Sequence, residues 1–135
     1  MARPWPGASL RQSRRTRRVW GLVVTIITAS PFSRARVVAT TLISSAVFTI
    51  GGKMFAIVDV GDGPASVSLK CDPGYAVALR DQYPAVTAGY HLNKRHWNTV
   101  VLDGSVLAEM LDEWIQDSCE LVLARLTRAD RAELD

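Results

Sequence analysis

The sequence predicts an α+β fold, in which an antiparallel sheet carries helices packed on one of its sides. Two observations indicate this class. Between residues 47 and 102, short apolar stretches are separated by glycine-containing turns, which is typical of antiparallel strands. Two stretches with helix-start signals interrupt and follow the strands, the first at Asp72-Pro73 and the second after Gly104-Ser105. The predicted order is three strands, a helix, one or two further strands and a long helix.

The first predicted element is a β-hairpin. Its strands are Val47–Ile50 and Met54–Val60, and Gly51-Gly52 forms the turn because glycine reaches positive φ without strain. The next strand, Ala65–Cys71, alternates polar and apolar residues, so one of its faces should be buried and the other hydrated.

A helix should follow this strand directly. Asp72 is placed as its N-cap and Pro73 at its first position. The helix should end before Pro84, because a residue that precedes proline avoids helical geometry. Residues 86–89 are expected to form a loop. The apolar side of the helix is expected to consist of Tyr75, Val77, Ala78 and Leu79.

The C-terminal half contains the remaining strands and a long helix. Tyr90–Leu92 and Trp97–Leu102 are predicted as strand pieces around a turn at Asn93-Lys94. The long helix is predicted over residues 106–126. Its apolar residues follow the helical spacing and direct Trp114 towards the core.

The charge of the chain is divided unevenly along its length. Residues 1–50 contain eight arginines but no lysine, aspartate or glutamate, whereas residues 51–135 contain eight basic and all thirteen acidic residues. Regular patterning also begins near residue 42. We therefore predict a domain over residues 42–127, a basic and apolar segment 1–41 outside its core, and a polar tail, 128–135, that frays.

Three interpretations of residues 1–41 stay open. The composition is typical of a segment translated from a wrong start codon or in a wrong frame. The basic run 11–18 before the apolar run 19–29 also resembles an export signal, although it is too short for a membrane span, which takes about 20 residues. The third interpretation is a basic arm that binds nucleic acid.

The sequence contains no pattern that indicates an enzyme, a cofactor site or a metal site. The sequence has no nucleophile elbow, phosphate-binding glycine loop or paired-carboxylate motif, so we expect neither an enzyme nor a bound cofactor. His91 and His96 lack a third residue at metal-ligand spacing, so no metal site is expected. Cys71 and Cys119 lie in apolar patterns and are predicted to be buried free thiols, which fits a cytoplasmic protein.

Three motifs carry a resemblance to a known family. They are VFTIGGKMFA at residues 47–56, VSLKCDP at residues 67–73 and GYHLNKRHWNTV at residues 89–100. In this order they resemble the MmcQ/YjbR family. The last helix of that family is similar to residues 117–122, although a tyrosine is more usual there than Cys119. The resemblance covers residues 42–127 and implies a small cytoplasmic protein with a CyaY-like fold, of a family commonly described as DNA-binding with a double-wing arrangement.

The candidate site is the segment that contains both histidines, a basic pair and a tryptophan, together with lysines from the preceding strands. Lys94 and Arg95 would contact phosphates. An aromatic side chain, Trp97 or Tyr90, would be available to stack on a base. The predicted nucleic-acid-binding residues are Lys53, Lys70, His91, Asn93, Lys94, Arg95, His96 and Trp97.

A structural interpretation of the same residues stays open. In it, Trp97 belongs to the core, Asn93 and Asn98 hold the turn, and the charged side chains are solvated. The acidic balance of residues 51–135 also counts against non-specific duplex binding, because affinity for DNA comes largely from phosphate neutralisation. The family resemblance nevertheless makes DNA the predicted partner, and a small non-enzymatic module that binds a protein or a small anion is the alternative.

Overall fold

The structure is a computed structural model that describes residues 37–41, 45–60, 64–89 and 92–132 of the 135-residue chain. Its strands are β1 Val37–Thr41, β2 Ser45–Ile50, β3 Lys53–Asp59, β4 Ser66–Lys70, β5 Val86–Ala88 and β6 Trp97–Val101. Its helices are α1 Pro73–Gln82, α2 Ala108–Ala124 and α3 Arg128–Ala132. The strands form a six-stranded antiparallel sheet in the order β1-β2-β3-β4-β6-β5, so the predicted α+β class is confirmed.

The predicted hairpin between β2 and β3 is confirmed. Its turn consists of Gly51 and Gly52, whose φ angles of 57° and 78° are both positive. A two-residue turn of this kind matches the twist of the strands it joins, and residues with a Cβ atom adopt it only with strain. A β-bulge between Phe48 and Thr49 shifts the register in the same hairpin.

The helices α1 and α2 lie on the same side of the sheet. Val100 of β6 belongs to one core cluster with Leu79 of α1 and Ile115 of α2. Asn98, two residues earlier and therefore on the same face of β6, donates a hydrogen bond of 3.2 Å to the Ala76 carbonyl of α1. Accordingly, α2 packs across β2, β3 and β4, while α1 packs across β5 and β6.

The buried face of α2 follows the predicted helical spacing. Trp114 is only 4% exposed, which confirms its predicted core position. Its ring meets the Tyr83 ring edge-on, with 5.1 Å between the ring centroids and an angle of 76° between the planes. The buried residues of this helix are Leu111, Trp114, Ile115, Ser118, Cys119 and Val122.

Ser118 connects the helix to two strands of the sheet. Its hydroxyl donates a hydrogen bond of 2.6 Å to the Phe55 carbonyl and accepts one of 2.9 Å from the Lys70 amide. The last pair between β3 and β4 is Ala56 with Leu69. Phe55 and Lys70 are the next residues beyond this pair on their strands. The hydroxyl therefore satisfies a donor and an acceptor at the point where the strands separate, and it is fully buried there.

The domain begins earlier than predicted. Val37–Thr41 forms β1, which pairs along its whole length with β2, so the predicted boundary at residue 42 is wrong. The strand has five residues and no polar–apolar alternation, so periodicity could not separate it from the arginine-rich segment before it. Residues 1–36, and the three interpretations of them, lie outside the described residues.

The strand next to β6 also differs from the prediction. Val86–Ala88 is not a loop but forms β5, which pairs with residues 98–100 of β6. Three residues are too few to show an alternating pattern, so this strand is identified only by its partner. Leu92 lies in a bend, and Tyr90 and His91 lie outside the described residues.

The first helix has the predicted bounds but a different buried side. The Asp72 carboxylate caps it by accepting hydrogen bonds from the Gly74 and Tyr75 amides. Tyr75 and Val77, however, are 42% and 52% exposed, so their assignment to the apolar side is wrong. The helix covers the edge strand β5 and its neighbour β6 and buries only Ala76 and Leu79.

The two C-terminal helices differ from the prediction in their bounds and in number. The second helix covers Ala108–Ala124, shorter than the predicted residues 106–126, and Leu107 precedes it without a side-chain cap. Residues 128–132 form α3 rather than a frayed tail. Thr127 and Asp130 cap α3 reciprocally, each side chain accepting a hydrogen bond from the backbone amide of the other residue. Among the described residues, no helix is long and apolar enough to cross a membrane.

The Ser118 contact predicts a specific loss of stability. In a Ser118→Ala variant, the Phe55 carbonyl and the Lys70 amide lose their partner in a buried place. We expect the free energy of unfolding in urea to fall by about 1–3 kcal/mol. The control is Ser105→Ala at an exposed serine, which should change the free energy by less than about 0.5 kcal/mol. Equal stability of both variants would show that the bridge contributes nothing.

Candidate functional site

The turn before β6 is organised by Asn93. Its side-chain oxygen accepts a hydrogen bond of 2.9 Å from the Arg95 amide, and its carbonyl accepts bonds from the amides of His96 and Trp97 at 3.2 and 3.0 Å. This side chain–backbone closure is typical of asparagine in tight turns. It leaves Lys94 and Arg95 exposed at the surface. Asn93 therefore holds the turn, as the structural interpretation proposes.

The turn is attached to the end of β4. The Cys71 amide donates a hydrogen bond of 2.7 Å to the His96 carbonyl, and Lys70 pairs with Trp97 across β4 and β6. Lys70 is thus next to the base of the turn that carries Lys94. Two parts of the predicted site that are distant in sequence are brought together by this pairing.

Lys70 also lies within the electrostatic range of two other cations. The pKa of Lys70 is lowered, first by burial and then by the positive charges of Arg125 and Lys53. Lys53 begins β3, directly after the glycine turn, and Arg125 follows the last residue of α2. We call Lys53, Lys70 and Arg125 the basic cluster.

The hairpin turn and the end of α2 meet through a close packing contact. A Cβ atom on Gly51 would lie 3.0 Å from a δ-carbon of Leu126, so the glycine allows this approach. The contact explains how Arg125 reaches the lysines. Arg125 was not predicted as a site residue, because no local pattern distinguishes it from the other arginines near the C-terminus.

Part of the charge of Lys53 is offset locally. The pKa of the Asp130 carboxyl is lowered, mainly by hydrogen bonds from Thr127, with a smaller contribution from Lys53. Lys53 therefore has an acidic neighbour within electrostatic range.

Trp97 does not offer a stacking surface. It is 7% exposed. Asn98 and Val100 face the helices, so Trp97, one residue before Asn98, lies on the opposite face of the sheet. Its predicted role as a stacking residue is therefore wrong, and the core interpretation holds for this residue. A buried ring has no free face for a base, because the protein already covers it.

The other predicted site residues are placed as follows. Lys53, Asn93, Lys94 and Arg95 are exposed, Lys70 and His96 are half-buried, and His91 lies outside the described residues. Asn98 was predicted to hold the turn, but its amide group contacts α1 instead. The structure thus brings Lys53 within electrostatic range of Lys70, and it joins the backbone of the turn that carries Lys94 and Arg95 to the residue after Lys70.

The two thiols lie in surroundings that disfavour their reactive thiolate form. Both cysteines are free, as predicted, but only Cys119 is buried; Cys71 is half-buried, so the prediction of a buried thiol is wrong for Cys71. Burial, followed by the charges of Asp72 and Asp117, raises the pKa of Cys71 to about 11. Burial also raises the pKa of Cys119 to about 12. Both thiols are therefore protonated at neutral pH, the poorly nucleophilic form. No group of three or more potential metal ligands occurs in the described part of the chain.

Comparison with known proteins points to one family. The YjbR family model matches residues 34–121. The chain is 35% identical over 85 residues to YbdF from Escherichia coli O157:H7, which covers 63% of this chain and 70% of that protein. It is 47% identical over 53 residues to YjbR from Escherichia coli K12, which covers 39% of this chain and 45% of that protein.

Two solved structures share the fold. Deinococcus radiodurans protein DR2400, which carries a DUF419 domain, superposes with a TM-score of 0.67 at 37% identity, over 76% of this chain and 83% of that one. A Pseudomonas syringae protein superposes with a TM-score of 0.59 at 26% identity, over 74% of this chain and 97% of that one.

The close approach at Trp97 predicts a strict requirement for glycine at position 89. A Cβ atom there would lie 2.7 Å from Trp97 Cβ and 3.1 Å from the Trp97 carbonyl oxygen. We expect Gly89→Ala to lower the free energy of unfolding by about 1–3 kcal/mol, because strand backbone must move. Gly74→Ala is the matched control, since its Cβ would make only an ordinary contact of 3.5 Å. A neutral Gly89→Ala variant would contradict the packing described for Trp97.

The environment of Asp117 predicts a pH-dependent stability change. Burial, and then the charges of Glu113 and Glu120, raise the pKa of Asp117 above 3.8. The protonated form favours folding in acid, and this contribution is lost as pH rises through the raised pKa. We expect Asp117→Asn to be more stable than the parent by less than about 1 kcal/mol near pH 7, with no difference below pH 3.8.

Urea denaturation of both proteins across this pH range measures the effect. The matched control is the same change at exposed Asp81. If the free energies of unfolding of the parent and Asp117→Asn differ by the same amount at every pH, the pKa of the Asp117 carboxyl is not raised in the folded protein.

Proposed function

This chain belongs to the YjbR family, and on that premise we propose that it binds nucleic acid through phosphate contacts made by its basic cluster. The observation that carries the proposal is the position of Lys70, which pairs with Trp97 beside the turn of Lys94 and Arg95 and whose pKa is lowered by burial and then by the positive charges of Arg125 and Lys53. Like charges held within range of one another disfavour their own ionisation, and a phosphate placed among them reverses that effect. The cluster is therefore suited to an anionic partner.

The turn cations extend the basic cluster. Lys94 and Arg95 are exposed on a turn whose base is hydrogen-bonded to the residue after Lys70. Arg95 and Arg125 can each contact a phosphate through two parallel hydrogen bonds, whereas the lysines supply point charges. A series of phosphates along one backbone would match this set better than a single small anion.

The acidic residues of α2 support one orientation of the partner. Glu113, Asp117 and Glu120 recur at helical spacing and act on one another electrostatically. They would repel a phosphate backbone from that surface of the helix. The nucleic acid would consequently be restricted to the end of the domain where Arg125 and the hairpin turn lie.

Because Trp97 is buried, the proposed binding does not include stacking of a base on this ring. With this ring inside the protein, binding would depend on phosphate contacts, would tolerate many sequences and would weaken steeply with salt. The proposal describes a binding protein and not an enzyme. The double-wing arrangement and a cytoplasmic location stay predictions, and the interaction module for a protein or small anion stays the alternative.

The proposal predicts a change in the salt dependence of binding. In the triple variant Lys53→Gln, Lys70→Gln, Arg125→Gln, the slope of log Kd against log salt should fall by about two to three units. Fluorescence anisotropy with a labelled duplex and a labelled single strand of DNA measures the slope. Residues 1–36 hold eight arginines, so the difference between variant and parent, rather than the affinity of the parent, tests the site.

Two further variants complete the experiment. Arg128→Gln removes one positive charge at an exposed arginine that is not among the cations acting on Lys70, and should change the slope by less than one unit. Lys94→Gln with Arg95→Gln should lower the slope by about one to two units. If the triple variant is folded and retains the parent slope on both DNAs, the alternative module replaces the nucleic-acid proposal.

A further inference from the structure

A groove lies between α1 and α2. Its volume is about 280 Å³. Ligand pockets have volumes of about 300–1,000 Å³, so this groove has room for one flat ring rather than for a large ligand. Tyr75 of α1 lines one wall, and Asp117, Glu120 and Leu121 of α2 line the other. The groove thus combines an aromatic surface with carboxylate acceptors.

Both walls of the groove continue into the basic cluster. Cys71 lines the groove and follows Lys70 in the chain, and Ala124 lines it and precedes Arg125. Lys70 and Arg125 are within electrostatic range of each other, because the positive charge of Arg125 contributes to the lowered pKa of Lys70. A phosphate bound by these two cations would therefore lie at the end of the groove, where a group attached to the phosphate can enter it.

Tyr75 provides the aromatic surface that the buried Trp97 does not. It lies in the first turn of α1, where its backbone amide donates a hydrogen bond to the Asp72 cap, and it is 42% exposed. Nucleic-acid bases stack on exposed aromatic rings of this kind when they are unpaired, whereas a paired base already stacks within its duplex. An exposed ring beside the basic cluster therefore indicates a single-stranded partner.

The carboxylates of the groove can distinguish one base from another. Asp117 and Glu120 are three residues apart on α2 and line the same groove. Carboxylate oxygens accept hydrogen bonds and donate none, so they pair with the N4 amino group of cytosine. Thymine has a carbonyl oxygen at the same position, which a carboxylate repels. Of the two pyrimidines in DNA, the groove therefore favours cytosine.

We propose that the groove binds one unpaired, amino-bearing base of a single-stranded nucleic acid, while Arg125 and Lys70 hold the adjoining phosphate. The base stacks on Tyr75, and its amino group donates to Asp117 or Glu120. The negative charge of the groove keeps the phosphate backbone outside it. This inference rests on the proposed function, since the basic cluster supplies the phosphate contact. It adds to that function a preference for single strands and for one class of base.

The probes are labelled oligonucleotides of deoxycytidine and of thymidine, each about six nucleotides long, and a labelled duplex. Fluorescence anisotropy with the full chain at constant salt measures Kd. We expect the deoxycytidine strand to bind at least about fivefold more tightly than the thymidine strand. Tyr75→Ala should weaken both single strands at least about fivefold and leave the duplex unchanged, because a paired base does not reach the ring.

Two variants control for the loss of the ring. Tyr75→Phe keeps the stacking surface and should bind like the parent, and Val77→Ala changes an exposed residue of the same helix and should also bind like the parent. The amide signals of Leu121 and Ala124 report on the groove directly, whatever residues 1–36 contribute to the affinity. In ¹H–¹⁵N NMR spectra, these signals should shift when the deoxycytidine strand is added to the parent and shift less in Tyr75→Ala.

A carboxylate variant tests the base preference separately from the stacking. Asp117→Asn with Glu120→Gln removes two negative charges, so both single strands should bind more tightly. The new amides both donate and accept hydrogen bonds, so the ratio of the two affinities should fall to about one. Asp81→Asn with Glu109→Gln makes the same changes at two exposed acids outside the groove and should keep the parent ratio. Circular dichroism checks that each variant is folded.

The outcomes separate this inference from the proposed function. An unchanged single-strand affinity in Tyr75→Ala, or an unchanged ratio in the carboxylate variant, would overturn the base site alone if the triple variant of the basic cluster loses its salt slope. If the triple variant keeps the parent slope, both proposals are wrong. Deoxycytidine 5′-monophosphate should compete at least about tenfold more weakly than the strand, because it offers a single phosphate. Equal competition would indicate a mononucleotide site and would overturn the single-strand assignment.

Discussion

The arrangement of this domain depends on a single buried hydroxyl group. Ser118 lies on the long helix and binds the Phe55 carbonyl and the Lys70 amide, which are 63 and 48 residues away in sequence. At this point β3 and β4 separate, and both backbone groups would otherwise be unpaired in the core. The bond therefore allows the strands to diverge and fixes the height of α2 above them. Both surfaces of interest begin where the strands diverge, at Lys70 and Cys71.

The divergence of the strands separates two surfaces of opposite charge. On one side, Lys70 lies within range of Arg125 and Lys53 and is attached to the turn that carries Lys94. On the other, the chain turns at Cys71 into α1 and leaves an acidic groove along α2. The net charge of the chain describes neither surface. A partner would meet local fields of opposite sign, which favours different chemical groups at the two places.

Among the described residues, buried side-chain polar atoms are hydrogen-bonded except at one place. The Ser68 and Thr99 hydroxyls are 2.8 Å apart across β4 and β6, and the buried backbone groups at Ser118 are satisfied. Asn98 Oδ1 and Trp114 Nε1 are the exception in the described part of the chain, and the two residues line one cavity. Folded proteins rarely leave buried polar atoms unpaired, so an exception of this kind is more informative than an exposed polar group would be.

The sequence by itself determined the features that depend on neighbouring residues. The glycine turn of the hairpin, the Asp72 cap of α1, the end of that helix before Pro84 and the core position of Trp114 follow from local backbone geometry and from spacing along one element. The short strands β1 and β5 escaped prediction, because three to five residues carry too little pattern and are defined by their partners. Only the tertiary structure decided that Arg125 joins the basic cluster, that Trp97 is buried and that Asn98 and Trp114 share a cavity. Each of these depends on contacts between residues far apart in the chain, and no local pattern records them.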